Sequence, residues 1–568
     1  MRLGAGVAAG ACWVLFCLRF FDAAAPFRPR ALEAVPVWLL AVLLAVALGA
    51  RARPPRAGAT SMPRPRDLRA WMVVALAVLF RLPMAGQAAA GYVTADGALS
   101  GLMALDVRDG RAHDVFVPHV AYSGSLKAIL TAPLAAVIDP ARAFALVSVL
   151  FYAAFVAAVH RLAAATARPG DAQNASARGL AAGLYAAFSP VFVTHYSLSN
   201  DGNYVEVLAL GTWALVLALR WMEEPDRRSG LALAIGLLLG LAFWCHILAV
   251  IAATAVAVFL LLESPRAAAA AAPRALLGFA LGDLPGLLWN ATNAWQSFAY
   301  FVPAAGAGAT PSALTAAGKA WGLLSDQLPV LAGYDFGYPA AVDRALMAMA
   351  VVALGAAIVG LVRAVRAARG EPGRPWRLIL IFVAVNLALA WLALPYIPGN
   401  PRYLLFLMAA VPVLLAEALR GRIGRIVLVA VIGTGALASL AQAAGARAAD
   451  RQWRAFVDGL EAEGVRACYT DFYLATKINF LSGGEVTCSA KLGPTTTEYF
   501  FRFREAVDAA PEAALVAVNQ AAAEKLERRL ERLGVSYERR DLMKPVLLRL
   551  SRKVGPEELF PDRAFPLR

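Results

Sequence analysis

The sequence predicts an all-α polytopic membrane protein of about 13 transmembrane helices, followed by a small α/β domain outside the membrane. Three observations carry that expectation. Of 568 residues, 60% are hydrophobic and 16% charged, with a mean hydropathy of +0.60. Soluble domains carry roughly 45–50% apolar and about 25% charged residues, which excludes an ordinary water-soluble enzyme, a disordered chain and a collagen-like repeat. Apolar runs long enough to cross a bilayer recur along the chain, and arginine is concentrated in every second connection between them.

A helix needs about 20 mostly apolar residues to cross about 30 Å of hydrocarbon. Such runs, several of them short or interrupted, lie near residues 3–18, 35–50, 70–82, 141–160, 179–195, 203–219, 230–246, 247–262, 275–290, 342–362, 377–394, 403–419 and 426–445. A further apolar stretch, 126–138, is too short to span and contains Pro133, so it reads as re-entrant or interfacial. Three regions follow: two additional spans in 1–68, a transmembrane core in 69–445 with long loops at 83–127 and 290–341, and a soluble domain in 446–568.

Basic residues orient the chain. The connections at 51–69, 161–178, 220–229, 263–274, 363–377 and 420–425 total 80 residues and hold 22 Arg and no Lys. The alternate connections at 83–127, 195–203, 290–341 and 395–402 total 114 residues and hold only Arg108, Arg111, Lys127, Lys319 and Arg402. This is the positive-inside asymmetry. It accounts for the net charge of +15 without nucleic acid, and it turns both long loops and everything after residue 445 outward. The segment 19–34, with Arg19, Arg28 and Arg30, is the exception. Arg2, an apolar run and Ala23-Ala24-Ala25 loosely imitate a cleaved signal peptide. Because Arg19 interrupts the run, an uncleaved first span with a cytoplasmic N-terminus is the preferred reading.

After residue 445, Trp453, Phe456, Val457 and Leu460 recur at helical spacing. Strand-like runs at 465–469, 514–518 and 545–550 alternate with helical ones at 498–507 and 521–533. Cys468 and Cys488 fall in this outward domain, where they either bridge or remain two buried thiols. Cys12, Cys17 and Cys245 lie in apolar runs.

Transporters place ionisable residues at mid-membrane. Here Arg81, Glu206 and Glu417 lie near span ends, and Asp283 alone lies well inside, two residues before Pro285. Polar residues gather instead at the outer interface. In the first outer loop, Leu99, Leu102 and Met103 form the apolar face of a helix along that interface. Asp96 opens it, either as an N-cap or as a working carboxylate, and Gly110 closes it. Lys127 and Arg402 stand where membrane segments begin, as snorkelling anchors or as anion ligands. His195, Glu206 and His246 sit near outer span ends, as hydrogen-bonded structural groups or as ligands. Asp201 reads as a turn residue before Gly202. The sequon Asn174-Ala175-Ser176 falls on the predicted inner side.

The order of these pieces resembles a known family. An Asp opening an interfacial helix, then Gly101-Leu102-Met103-Ala104-Leu105-Asp106, then Tyr122-Ser123-Gly124-Ser125-Leu126-Lys127, is similar to the GT-C class of integral-membrane glycosyltransferases. The nearest branch is that of the protein O-mannosyltransferases and aminoarabinose transferases (family 39-like). Phe188-Ser189-Pro190 before His195-Tyr196, Gly202-Asn203-Tyr204-Val205-Glu206, Phe243-Trp244-Cys245-His246 and Pro401-Arg402-Tyr403-Leu404 agree with it, in order across roughly residues 69–420.

The resemblance implies an inverting hexosyl- or pentosyltransferase of the plasma membrane, taking sugar from a polyprenyl-phosphate donor to an acceptor at the outer face. The acceptor itself is unassigned. A sugar leaving on phosphate needs no proton, so one carboxylate acting as base is sufficient, unlike the paired carboxylates of glycosidases. By resemblance Asp96 takes that role. Where the family carries Glu directly after this Asp, the present chain carries Gly97. Arg402-Tyr403 matches the family's late Arg-Tyr pair, Lys127 approximates its first-loop Lys, and Tyr122, His195, Glu206 and His246 complete the expected substrate contacts. No organic cofactor is expected and no residue is assigned as a metal ligand, while dependence on a divalent metal is left open by the sequence. The rival readings are a transporter or flippase of lipid-linked sugars, and a lipid-binding relative without catalysis.

Overall fold

The structure, a computed structural model, describes residues 68–561 apart from 112–113, 119, 200, 300–314, 335–338, 493–498 and 543. The two additional N-terminal spans expected in 1–68, with Cys12 and Cys17, lie outside the described residues, as does part of the 290–341 loop.

Seven described helices are long and apolar enough to cross a membrane: Leu68–Gln87, Pro140–Ala165, Asp201–Glu223, Pro225–Cys245, Ala340–Ala367, Arg374–Leu392 and Gly421–Ala462. Pro265–Gly282 and Leu284–Thr292 form an eighth apolar unit, bent by 74° where Asp283 precedes Pro285. The chain is a multi-pass membrane protein. Besides that unit, which interrupts the expected run 275–290, three further runs expected as single spans are broken. Residues 179–195 divide into Ala172–Ala187 and Val191–Tyr196 around Pro190. Residues 247–262 begin with a tight 3-10 turn at Ile247–Ala249. Residues 403–419 run as a 3-10 segment, Arg402–Ala409, before Val411–Ala418.

A broken helix in lipid must find partners for its freed backbone groups. At the first break Arg81 supplies them. Its guanidinium, fully buried, donates to Ala187 O (2.7 Å), Ser197 Oγ (2.6 Å) and Ser189 Oγ (2.8 Å), and lies 3.9 Å from the Tyr152 ring centroid. Elsewhere packing depends on small residues. Gly236 and Gly240 face Gly278 and Gly282 where Arg228–Cys245 crosses Pro265–Gly282, and a Cβ at any of the four would collide with a backbone carbonyl of the other helix. This is the small-residue crossing that lets apolar helices approach without a hydrophobic driving force.

The C-terminal unit is reached without interruption, because Gly421–Ala462 continues through residue 445 as one 42-residue helix. By then a short antiparallel pair, β1 (Phe116–Val117) and β2 (Val120–Gly124), has already formed in the first long loop. A second sheet comprises β3 (Ala467–Tyr469), β4 (Thr487–Ser489), β5 (Ala514–Ala517), β6 (Tyr537–Asp541) and β7 (Val546–Leu550), in the order β4-β3-β5-β7-β6. The β3 strand pairs parallel with β4 and β5, whereas β7 pairs antiparallel with β5 and β6. Phe456, Val457 and Leu460, the predicted helical stripe, are buried. Cys468 and Cys488 are opposite each other on β3 and β4 and form a disulfide. The alternative of two thiols is thereby excluded.

The first-loop helix, Ala95–Arg108, differs from its expected setting. Leu99, Leu102 and Met103 are buried as predicted, but so is nearly every other residue from Gly97 to Val107. The reason is the C-terminal unit. The ring of Phe480, on Phe472–Leu481, lies against Gly101. The buried Asp106 carboxylate binds both Arg111 (2.7 Å) and Arg502 of the C-terminal unit (2.8 Å). The helix is wedged between bundle and domain rather than lying free on the interface.

Candidate active site

Asp96 occupies the first turn of Ala95–Arg108 but does not cap it. Thr94 is the N-cap: its hydroxyl accepts from Gly97 N at 3.0 Å, satisfying one of the orphan N–H groups of the first turn. The same hydroxyl donates to Asp201 Oδ1. With its capping task taken by Thr94, the Asp96 carboxylate remains solvent-accessible. Its pKa is nevertheless raised, first by the protein mass around it, then by the nearby Asp201 charge, with Arg402 acting in the opposite sense. Asp96 is thus reachable by solvent and electrostatically coupled to both Asp201 and Arg402. Gly110 closes the helix as predicted, in the left-handed conformation at φ +68°.

Asp201 belongs to the short connection 201–203, which positions it through unusual backbone. Gly202 and Asn203 are both left-handed, with φ of +59° and +53°. The buried Asn203 amide donates to Ser123 Oγ (3.1 Å), Gly124 O (2.7 Å) and Cys245 O (3.1 Å). One residue thereby ties β2, the end of Arg228–Cys245 and the start of Tyr204–Glu223 together. A non-glycine residue at positive φ persists only where its surroundings over-determine it, and here three hydrogen bonds do so.

The cation that acts on Asp96 is Arg402. Arg402 lies 5.3 Å from the Tyr403 ring centroid and close to the Tyr196 and Tyr204 hydroxyls. Its Nε is buried without a hydrogen-bond partner. Asn400 Oδ1 accepts from Arg402 N and from Tyr196 Oη, each at 3.3 Å. The 394–400 connection is clamped by the second long loop. Asp326 accepts from Tyr396 Oη (2.7 Å) and Gly399 N (2.8 Å), Gln327 Nε2 donates to Ile397 O (2.8 Å), and Lys319 donates to Leu394 O.

Aromatic rings form a connected chain beside Arg402. Tyr122 meets His246 edge-on at 5.2 Å, His246 meets Tyr204 at 5.2 Å, Tyr204 meets Tyr196 at 5.5 Å, and Tyr196 meets His195 at 5.6 Å. His246 Nδ1 accepts from Leu248 N at 3.1 Å. In the neutral ring that leaves the proton on Nε2.

Six of the expected site residues therefore belong to one connected cluster: Asp96, Tyr122, His195, His246, Arg402 and Tyr403. Lys127 and Glu206 are not part of it. They pair with each other at 3.1 Å, 1% and 0% exposed, and Lys127 Nζ also donates to Ser199 O at 3.3 Å. Lys127 is thus corrected from anion ligand to partner of a buried carboxylate. A lone charge at that depth would be strongly penalised, so the two residues hold each other there.

Sequence reasoning missed Thr94, Asp201, Asn203, Tyr196 and Tyr204 as site groups. The available signal was the polar cluster 201–204 on the same predicted side as Asp96. It also missed Tyr499, on the C-terminal unit, whose hydroxyl pKa is raised first by burial and then by the Asp96 and Tyr473 charges. Among the described residues no group of three or more His, Cys, Asp or Glu side chains is arranged to hold a metal ion.

No protein-family model matches this sequence, and no curated protein matches it. Solved structures do. Over 84% of this chain and 97% of the other, it is similar to ArnT from Cupriavidus metallidurans in the apo state, at 11% identity and a TM-score of 0.57. With ArnT bound to undecaprenyl phosphate, identity and coverage are the same and the TM-score is 0.54. Archaeal oligosaccharyltransferase AglB from Archaeoglobus fulgidus, in complex with an inhibitory peptide and a dolichol-phosphate, gives 12% identity and a TM-score of 0.47 over 81% of this chain and 71% of that one. The chain has the fold of ArnT.

Proposed function

We infer that this protein is an inverting glycosyltransferase that moves a sugar from a polyprenyl-phosphate donor to an acceptor at the outer face of the plasma membrane. One observation carries the reading: the Arg402 guanidinium, with its unpartnered Nε, lies close enough to the Asp96 carboxylate to act on its charge. The ArnT structure with undecaprenyl phosphate supports a prenyl-phosphate lipid, and the arginine asymmetry supports the outward side.

In the reaction the acceptor nucleophile attacks the anomeric carbon from the face opposite the phosphate. The new bond forms as the bond from that carbon to the phosphate oxygen breaks. The electron pair leaves with the phosphate, and the acceptor proton passes to Asp96. Arg402 stabilises the charge that gathers on the departing phosphate, where its fork can meet two oxygens at once. A base with a raised pKa is better matched to taking a proton near neutral pH than an ordinary aspartate. Asp201 contributes to that raise and, through Thr94, anchors the turn that presents Asp96. Tyr122, His195, His246 and Tyr403 supply ring faces and polar edges to the sugar and the acceptor. The step calls for no cofactor.

The test is transfer by an Asp96→Asn variant, with lipid-extract mass spectrometry of a deletion strain to identify the polyprenyl-phosphate sugar that accumulates. Loss of transfer with normal membrane insertion is expected; full transfer by Asp96→Asn removes the base assignment.

A further inference from the structure

The opposite, arginine-rich end of the bundle carries a second cluster that the reaction does not use. Glu417 ends Val411–Ala418 with a carboxylate that is 4% exposed. Arg178 binds it at 3.1 Å, and Arg420 binds it as well. Arg363 donates to the adjoining carbonyls, Glu417 O at 3.0 Å and Ala418 O at 2.9 Å. Arg168 completes the group, close enough to both Arg178 and Arg420 to repel them. A second carboxylate, Asp171, acts on Arg178, and its oxygen already accepts from Asn174 N at 2.9 Å.

Four guanidinium groups therefore face two carboxylates, and the surplus is not diluted by distance. Burial and repulsion from Arg178, Arg363 and Arg168 lower the Arg420 pKa to about 10. A compact positive surplus at a protein surface attracts an anion with several acceptor oxygens. What surrounds it selects the anion. Val359, Val362 and Val365 are exposed on Ala340–Ala367, and Ile423, Ile426 and Val429 are exposed on Gly421–Ala462. Of these, Val359, Val362, Ile426 and Val429 lie inside the expected spans 342–362 and 426–445, whose ends adjoin the arginines. A soluble anion has no use for them, whereas a phospholipid matches both parts.

We propose that Arg168, Arg178, Arg363 and Arg420 bind the phosphate head group of an anionic phospholipid, whose acyl chains lie against the Ala340–Ala367 and Gly421–Ala462 helices. The site is independent of the sugar-transfer reading. Arg178 is committed to Glu417 and to Thr166 O (2.7 Å), so Arg168, Arg363 and Arg420, all exposed, supply the donors that the head group uses.

The experiment is native mass spectrometry and thermal unfolding of the full chain in nanodiscs of phosphatidylcholine, with or without phosphatidylglycerol. Wild type should retain phosphatidylglycerol selectively and unfold at higher temperature in its presence. Arg363→Gln and Arg420→Gln should each weaken retention about five-fold, the effect of one basic residue near a charged lipid surface. Arg369→Gln, at the same end but outside the cluster, should not. Equal behaviour of wild type in the two lipids overturns the proposal, as do variants that retain phosphatidylglycerol like wild type. Inorganic phosphate in detergent should not reproduce the stabilisation; if it does, the site takes a free anion and the lipid assignment fails. The wild-type comparison stands even if a variant does not fold.

Discussion

The Thr94 hydroxyl donates to the Asp201 carboxylate while accepting the Gly97 N–H. One small side chain thereby fastens a left-handed turn to the first turn of the helix that presents Asp96. The carboxylate proposed as base is held by its neighbour's hydroxyl, not by a bond of its own, and it keeps its oxygens for an incoming proton.

Removing that base should abolish turnover without unfolding the protein. General-base groups contribute about 10²–10⁴-fold, so Asp96→Asn should lose activity in that range. Its stability should not fall at neutral pH. A carboxyl whose folded pKa is raised stabilises the fold only while protonated, and that contribution is lost as pH rises through the folded value. The neutral amide is spared this loss. Thermal unfolding of variant and wild type side by side checks it, and a variant that melts well below wild type would contradict the sign.

Asp201 should reveal itself in the pH profile. Its charge helps to raise the Asp96 pKa, against Arg402, so the acidic limb of kcat/KM should lie above the ordinary carboxylate range in wild type. Asp201→Asn keeps an acceptor for Thr94 but removes the charge. The limb should then move to lower pH. An unmoved limb with merely reduced activity would leave Asp201 only a structural role.

Arg402 should depend on shape as well as charge. Arg402→Gln should reduce kcat/KM by about 10²–10³-fold, the range for removing one preorganised donor at a developing anion. Arg402→Lys should fall between, since ammonium retains charge but not the planar fork. Competition by free polyprenyl phosphate should weaken in the same order.

Lys127 should behave as structure. Lys127→Met leaves Glu206 buried and unpaired, which costs about 3–5 kcal/mol when one member of a buried pair is removed. Replacing both, as Lys127→Met with Glu206→Leu, should recover most of that stability in chemical denaturation. The double variant should retain activity. If instead it is stable but inactive, the pair serves the substrate directly.

Much of this architecture was legible in one sequence. The first long loop with Asp96 and the Arg402-Tyr403 pair were singled out by residue order and by the arginine count. Strands β3, β5 and β7 coincide with predicted β-like runs, because short apolar segments between charged ones have few other ways to bury themselves. β6 is nearly all charged, so it carries no period that a sequence can display. The broken spans were read as continuous for a related reason. Hydropathy is a sum over a window, and it does not register where the helix stops inside it.

Apolar composition and the side on which arginines fall determined by themselves that this chain is a multi-pass membrane protein, since transfer free energies are properties of residue types and not of their neighbours. Tertiary structure alone decided which charges work. Lys127 and Arg402 are equivalent as cations in a sequence, but Glu206, the third residue of Tyr204–Glu223, neutralises the first, whereas the second stands beside the Tyr196, Tyr204 and Tyr403 rings and acts on Asp96. Pairing depends on distance in space, and distance in space is what a linear string omits.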